Sequence, residues 1–402
     1  MKTAMNDAIV VLNCGSSSIK FALFDAGLHP LPRTPLWSGK VEGIGADHAA
    51  VSTSDTPARP LSLDAAQPYH DALVHIRQRV ERALGDRRLV AVAHRVVHGG
   101  AKYFAPVRVD AHVLADLRSY IPLAPLHQPF ALEAIEALLH ALPDVPQVAC
   151  FDTAFHHTLP KVESMLPLPY AAWERGLRRY GFHGLSYEYM SIALAERHGD
   201  VARGRTIVAH LGSGASLCAM QGLVSVATTM GFSALDGLMM GTRCGALDPG
   251  AVLYLMETEH LSPAQVGHVL YHESGLLGVS GLSSDPRDLL PREAEDERAH
   301  AALALYVRRI VREIGALVAV LGGLDLLVFT AGIGEHNAVL RERVVQALGY
   351  LGAELDRAAN GANEANASVI STTASRVCVA VEPTNEEWVA ARLAAECVSA
   401  RA

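Results

Sequence analysis

Two stretches of this 402-residue chain follow one grammar: an apolar run, a tip of glycine and serine, and an alternating run leaving it. In the first, Ile9-Val10-Val11-Leu12-Asn13 leads into Cys14-Gly15-Ser16-Ser17-Ser18 and out through Ile19 to Phe24. In the second, Thr206 to Leu211 leads into Gly212-Ser213-Gly214-Ala215-Ser216 and out through Leu217 to Met220. Runs of β-branched residues bounded by small residues read as buried strands. The two tips lie about half the chain apart, a spacing that predicts two related domains. Two unrelated hairpins of similar composition are the alternative.

Helical patterns run from Tyr69 to Leu84 and from Phe130 to Leu142, and Leu303, Val307, Ile310, Ile314, Leu317 and Leu321 mark one face of a late helix ending at Gly322-Gly323. Further strands are expected at Val90 to Ala93, Val148 to Phe151 and Leu326 to Thr330, the last followed by a turn at Ala331 to Glu335. Val51 to Pro60, rich in Ser, Thr, Asp and Pro, reads as a surface loop. Pro383 to Glu387 reads as a turn into a final helix. Strands alternating with helices predict an α/β protein.

Composition excludes several classes. Half of the residues are hydrophobic and 19% are charged, as in a folded globular protein. The net charge of −8 gives no general affinity for nucleic acid or an anionic membrane, so neither partner is expected. No apolar run is long enough to span a bilayer, and Ile9 to Leu12 is too short for the apolar core of a signal peptide. The six cysteines show no CxxC pair and no zinc spacing, which suits free thiols in a reducing, cytoplasmic setting.

The chemistry points to phosphate. Glycine-rich turns after buried strands aim backbone N–H groups at anions, and there are three: 15–18, 212–216 and 332–335. GxxxxGK[ST], GxGxxG opening a helix and the protein-kinase motifs are all absent, so any ATP site uses another scaffold. Two hairpin-headed domains clasping a nucleotide suit the actin, hexokinase and Hsp70 class. Arg95, ending a strand before Val96-Val97-His98-Gly99-Gly100, and Arg243, set between Gly241 and Gly245, are arginines in glycine-rich apolar settings, which a bound anion would explain; a structural bridge between loops is the alternative. Asp152 follows a strand at the edge where α/β active sites gather. The pair His156-His157 is a poor metal site without further ligands.

Asn13-Cys14-Gly15-Ser16-Ser17-Ser18-Ile19-Lys20 resembles the first signature of the acetate kinase family. Phe151 to His156, Tyr180-Gly181-Phe182-His183-Gly184, Met230 to Gly245, Thr330 to Glu335 and Pro383 to Glu387 are similar to its later motifs, in order and over nearly the whole chain. The resemblance implies two related actin/hexokinase-like (ribonuclease H-like) domains with an interdomain nucleotide cleft. Their expected bounds are 1–153 plus 387–402 and 154–386. It implies reversible transfer of the ATP γ-phosphoryl group to acetate with Mg²⁺ (Mn²⁺ as an alternative), ATP/ADP as co-substrate, and a homodimer.

Carried over by position, Asp152, His183 and Arg243 are the catalytic candidates. Arg95, Val97, Leu126, His127, Phe182 and Ala234 would meet the acid. Lys20, His210, Leu211, Gly212, Ser213, Gly214, Asp285, Pro286, Arg287, Gly332, Ile333, Gly334, Glu335 and His336 would meet the nucleotide, and Asn13 and Glu386 the metal. Acetate is ionised at neutral pH, so an organising role for Asp152 is preferred to a general base. The chain departs from the family pattern at Ser213 and His336, usually Asn, and at Ala234, often Pro. A smaller residue at 234 could admit propionate, one methylene being worth only about 1–3 kcal/mol of discrimination. A propionate or butyrate kinase, and beyond it an ATP hydrolase or sensor on the same scaffold, are the competing readings.

Overall fold

The computed structural model describes residues 6–46, 48–125, 127–362 and 366–400. The chain divides into two compact units, Met1–Phe155 with Asn385–Ala402, and His156–Thr384. Glu386 therefore falls in the first unit.

The first unit is built on an eight-stranded sheet. Its strands are β1 (Asp7–Cys14), β2 (Ser18–Asp25), β3 (Trp37–Glu42), β4 (Ala49–Thr53), β5 (Thr56–Leu61), β6 (Arg88–Val96), β7 (Val107–Arg108) and β8 (Gln147–Phe151), in spatial order β5-β4-β3-β2-β1-β6-β8-β7. Strands β1 and β2 form the expected hairpin, its tip closed by Gly15 N–H donating to Ser18 O at 2.8 Å. Strand β1 pairs in parallel with β6, and β6 with β8. Ile9, Val10, Val11 and Leu12 are all buried because both faces of β1 are covered. Val10 and Leu12 meet Leu73, Ile76 and Val80 of the helix Pro68–Leu84, while the helix Glu386–Ser399 packs against β1, β6 and β8.

The second unit repeats the plan. Strands β9 (Arg205–Leu211), β10 (Ala215–Gln221), β11 (Val224–Thr228), β12 (Leu326–Thr330), β13 (Ser368–Val369) and β14 (Cys378–Val381) lie in the order β11-β10-β9-β12-β14-β13. An antiparallel meander of three strands continues into two parallel ones, β12 beside β9 and β14 beside β12, as β3-β2-β1 continues into β6 and β8. The duplication inferred from the two tips is thus present in the strand order. The helix Glu297–Leu321 buries Leu303, Ile310, Ile314, Leu317 and Leu321, and ends at Gly322 in the left-handed region. Tyr306 is buried on that face and Val307 only half-buried.

Two sequence expectations need correction. The stretch 51–60 is a hairpin rather than a loop: β4 pairs antiparallel with β5, and Val51 points inward opposite Val41. Its Pro57 and Pro60 lie on β5, an edge strand, where a missing N–H costs no ladder bond. The expected turn at Ala331 to Glu335 is a short helix, Ala331–His336, starting directly after β12. Ala331 itself takes the left-handed conformation (φ 63°), and the Glu335 carboxylate accepts its N–H at 2.8 Å. Among the described residues no helix is long and apolar enough to cross a membrane.

Candidate active site

In the first unit the ends of β1, β6 and β8 bring three sequence candidates together. Arg95, the penultimate residue of β6, lies one register step from the end of β8, where the Asp152 N–H is held by Val96 O at 3.0 Å. The pair is bidentate: Arg95 Nε donates to both Asp152 oxygens at 3.0 Å, and Nη2 to Oδ2 at 2.6 Å. Arg95 Nη1 donates to Asn13 Oδ1 at 3.3 Å and lies 3.7 Å from Glu386 Oε2. Lys20 stands directly opposite Asn13 in the β1–β2 ladder. Glu386 opens the final helix, positioned by Asn385, whose Oδ1 accepts the Trp388 N–H at 3.1 Å.

Burial alone would lower the Arg95 pKa, but Asp152 and Glu386 outweigh it and the guanidinium is held above its usual range. Glu386 goes the other way. Burial pushes its carboxyl up to about 7; Arg95 and Lys20 pull down, Asp152 and Glu387 push up.

Asn13 and Glu386 offer hard oxygen donors, and Glu386 is an acid that a second cation would keep ionised. That donor set fits Mg²⁺, which takes one or two carboxylates and leaves its other positions to water and phosphate. Both Asp152 oxygens are engaged by Arg95, which leaves it a lesser candidate for the metal.

In the second unit the glycine tip of β9–β10 is the organising feature. His183 starts the helix Gly184–His198 in a left-handed conformation (φ 60°), and its Nδ1 is 2.8 Å from Ser216 Oγ, itself 2.5 Å from Tyr187 OH. His210, near the end of β9, stacks on His183 with ring centroids 4.1 Å apart. Its Nδ1 is 2.9 Å from Ser186 Oγ, which is 2.8 Å from Thr384 Oγ1. A Cβ on Gly214 would lie 3.3 Å from His183 Nε2 and 3.6 Å from Arg243 Nη1. The bare tip therefore faces both groups, and glycine keeps that space open.

Arg243 is half-buried. Its Nη1 donates to Ala234 O at 3.0 Å, and it forms no ion pair among the described residues. Burial lowers its pKa, although a guanidinium stays charged in proteins. Its loop is fixed to the helix Gly275–Ser280 by Leu276 N–H to Met240 O and Leu277 N–H to Gly241 O, both 2.9 Å.

The remaining candidates are placed as follows. Val97 and His127 are half-buried in the first unit; Leu126 lies outside the described residues. Phe182 is buried, and its carbonyl accepts from His156 Nε2 at 3.0 Å. His156 is buried while His157 is exposed, so the two do not share an environment. Leu211 is buried at the end of β9, and Gly212 N–H donates to Gly214 O at 3.1 Å across the tip that carries Ser213. Ala331 Cβ lies 3.7 Å from the Cβ position of Gly212, so the 331–336 segment borders that tip, with Gly332 open to space.

Four candidates expected at the nucleotide are engaged locally. Glu335 accepts the N–H groups of Ala331 and, at 3.0 Å, Thr384. His336 Nδ1 is 3.0 Å from Gly332 O. Arg287 is paired with Asp285, the N-cap before Pro286, through Nη2 at 2.6 Å. Sequence reasoning does not single out Ser186, Tyr187, Ser216 and Thr384, although Ser216 and Thr384 lie within quoted motifs and Tyr187 sits one helical turn after His183.

The Acetokinase family model matches residues 8–392. The chain belongs to the acetokinase family. A curated acetate kinase of Rhodopseudomonas palustris (strain ATCC BAA-98 / CGA009) is 50% identical over 391 residues, covering 96% of this chain and 98% of that protein. The crystal structure of Porphyromonas gingivalis acetate kinase superimposes with a TM-score of 0.86 at 36% identity, covering 98% of this chain and 100% of that one. A propionate kinase from Francisella tularensis subsp. tularensis SCHU S4 gives 0.88 at 34%, covering 96% and 98%. The acetokinase chain has the two-domain actin/hexokinase-like fold of these enzymes. Membership makes it a kinase with ATP or ADP as co-substrate and a carboxylate as phosphoryl acceptor.

Proposed function

We propose that this chain is an acetate kinase. It transfers the γ-phosphoryl group of ATP in line to acetate, giving acetyl phosphate and ADP, and runs the reaction in reverse. An acetate oxygen forms the new bond to phosphorus as the bond to the ADP oxygen breaks. The observation that carries the reading is Arg243: a half-buried guanidinium with no carboxylate partner among the described residues, facing the same bare glycine as His183. Phosphoryl transfer needs little beyond positioning and positive charge for the oxygens in transit. His183 joins Arg243 there, oriented through Nδ1 by Ser216 and Tyr187.

Arg95 holds the acid's carboxylate. Asp152 positions Arg95, an assignment supported by its two oxygens being spent on the guanidinium. Asn13 and Glu386 hold Mg²⁺, which neutralises phosphate charge when bound. Lys20, the 210–214 tip, the 285–287 turn and the 332–336 segment serve the nucleotide, and Val97, Leu126, His127, Phe182 and Ala234 the acid. The working form is a homodimer, so light scattering should give twice 42.9 kDa.

The test is ADP formation from Mg-ATP with acetate, propionate, butyrate or no acid, with hydroxylamine trapping the acyl phosphate. The highest kcat/KM is expected with acetate. Preference for propionate would keep the chemistry and shift specificity to the pocket around Ala234. ADP release indifferent to every acid would overturn the kinase reading.

A further inference from the structure

The first unit carries a second concentration of positive charge, away from Arg95 and Lys20. A hollow of about 700 Å³ opens at the β3–β5 edge of the sheet and is lined by Arg59 of β5, Arg79 and Arg82 of the helix Pro68–Leu84, and Arg87 after it. Trp37 and Val51 also line it, from the strand faces that meet the helix Pro68–Leu84; Lys20 and Lys40 project from the opposite face.

Neighbouring arginines are paired, Arg77 with Glu81 at 3.5 Å and Arg88 with Asp7 at 2.9 Å. None of Arg59, Arg79, Arg82 and Arg87 forms an ion pair among the described residues. Arg79 and Arg82 donate only to helix carbonyls, of His75 and Gln78, both at 3.1 Å. Burial, then the like charge of Arg82, lowers the Arg79 pKa. Asp55 is the acidic residue in the described lining; its Oδ1 accepts from Trp37 Nε1 at 3.2 Å and Thr53 Oγ1 at 2.6 Å, so one carboxylate stands against four guanidinium groups. The helix dipole accounts for a cation such as Arg82 in the last turn, but not for four converging from a strand, a helix and a loop. All this occurs on a chain whose net charge is −8.

We propose that this hollow is an accessory site for a small multivalent oxyanion, an oligophosphate or a polycarboxylate. Guanidinium groups recognise both through paired N–H donors, and the volume suits a small molecule rather than a lone ion.

Isothermal titration calorimetry on the full chain, with and without saturating ADP, tests it using inorganic tripolyphosphate, tricarballylate and orthophosphate. One equivalent of tripolyphosphate or tricarballylate should bind in the presence of ADP, at least about tenfold more tightly than orthophosphate, since several paired contacts replace one. Their order tells phosphate from carboxylate as the natural source. Arg59→Gln with Arg79→Gln should weaken binding at least about tenfold by removing two such contacts. ADP affinity and turnover should stay unchanged. If that pair lowers the melting temperature, Arg82→Gln with Arg87→Gln serves instead. Binding fully competed by ADP, equal affinity for orthophosphate, or affinity untouched in both double variants would overturn the site.

Discussion

Arg95 and Arg243 are both half-buried arginines assigned to the same reaction, yet their surroundings are opposite. Arg95 is surrounded by acceptors: two Asp152 oxygens, Asn13 and, at 3.7 Å, Glu386. Arg243 has one backbone carbonyl and a glycine tip. A neutralised guanidinium is held in place before any ligand arrives, whereas an unneutralised one stays electrostatically unfinished until an anion reaches it. On the proposed reading the first unit supplies fixed geometry, and the second supplies charge with no ion-pair partner among the described residues.

The largest test of that contrast is Arg243→Ala. Loss of about 10³–10⁵ in kcat is expected, by analogy with arginines that act on phosphoryl groups in transit. The melting temperature should barely move, since no buried partner is left behind. Arg95→Ala should lose activity and stability together. It strands the buried Asp152, and breaking such a pair costs about 3 kcal/mol, a drop of roughly 6–12 °C in the first unit's melting. Thermal scans beside kinetics separate the two, and equal destabilisation by both variants would break the comparison.

Glu386→Gln should raise the Mg²⁺ concentration for half-maximal rate at least about tenfold, as expected when a metal's oxygen ligand or its support is lost. The Arg243→Ala variant should leave that requirement unchanged. Ser216→Ala removes the group that orients His183 and should lower kcat about tenfold, the worth of one hydrogen bond of about 1.4 kcal/mol, with little change in KM for acetate. The smallest effect concerns acid stability. Burial holds His94 and His98 in the first unit and His156 in the second near pKa 4. The unfolded chain binds these protons more readily, so the stability they carry is present above the ordinary histidine pKa and is lost as pH falls from about 6.5 to 4. His94→Gln should therefore lower the pH at which the first unit opens; circular dichroism against pH measures the shift.

Much of this was legible before any coordinates. The apolar runs at Ile9 and Thr206 read as interior strands, and for an arginine ending a strand beside glycine a bound anion stood beside a structural bridge as the two readings. The hydroxyls of Ser216 and Thr384 were not legible, because their histidines lie 33 and 174 positions away and only the fold brings them together. The β4–β5 hairpin was misread because an edge strand tolerates the prolines and polar residues that mark a loop elsewhere. Glu335 illustrates a third limit: its Oε1 accepts the N–H groups of both Ala331 and Thr384, a bridge that spacing alone does not reveal.

The first unit is assembled from both ends of the chain, with the second unit strung between them. During synthesis the face of β1 that carries Ile9 and Val11 must wait for the helix Glu386–Ser399 to leave the ribosome, while residues 156–384 emerge as one uninterrupted block. The unit that begins first therefore matures last. For most of translation its apolar sheet face is exposed to chaperones and to other nascent chains, and the same late helix that covers it also delivers Glu386, so completion of the fold and completion of the proposed metal-binding set coincide.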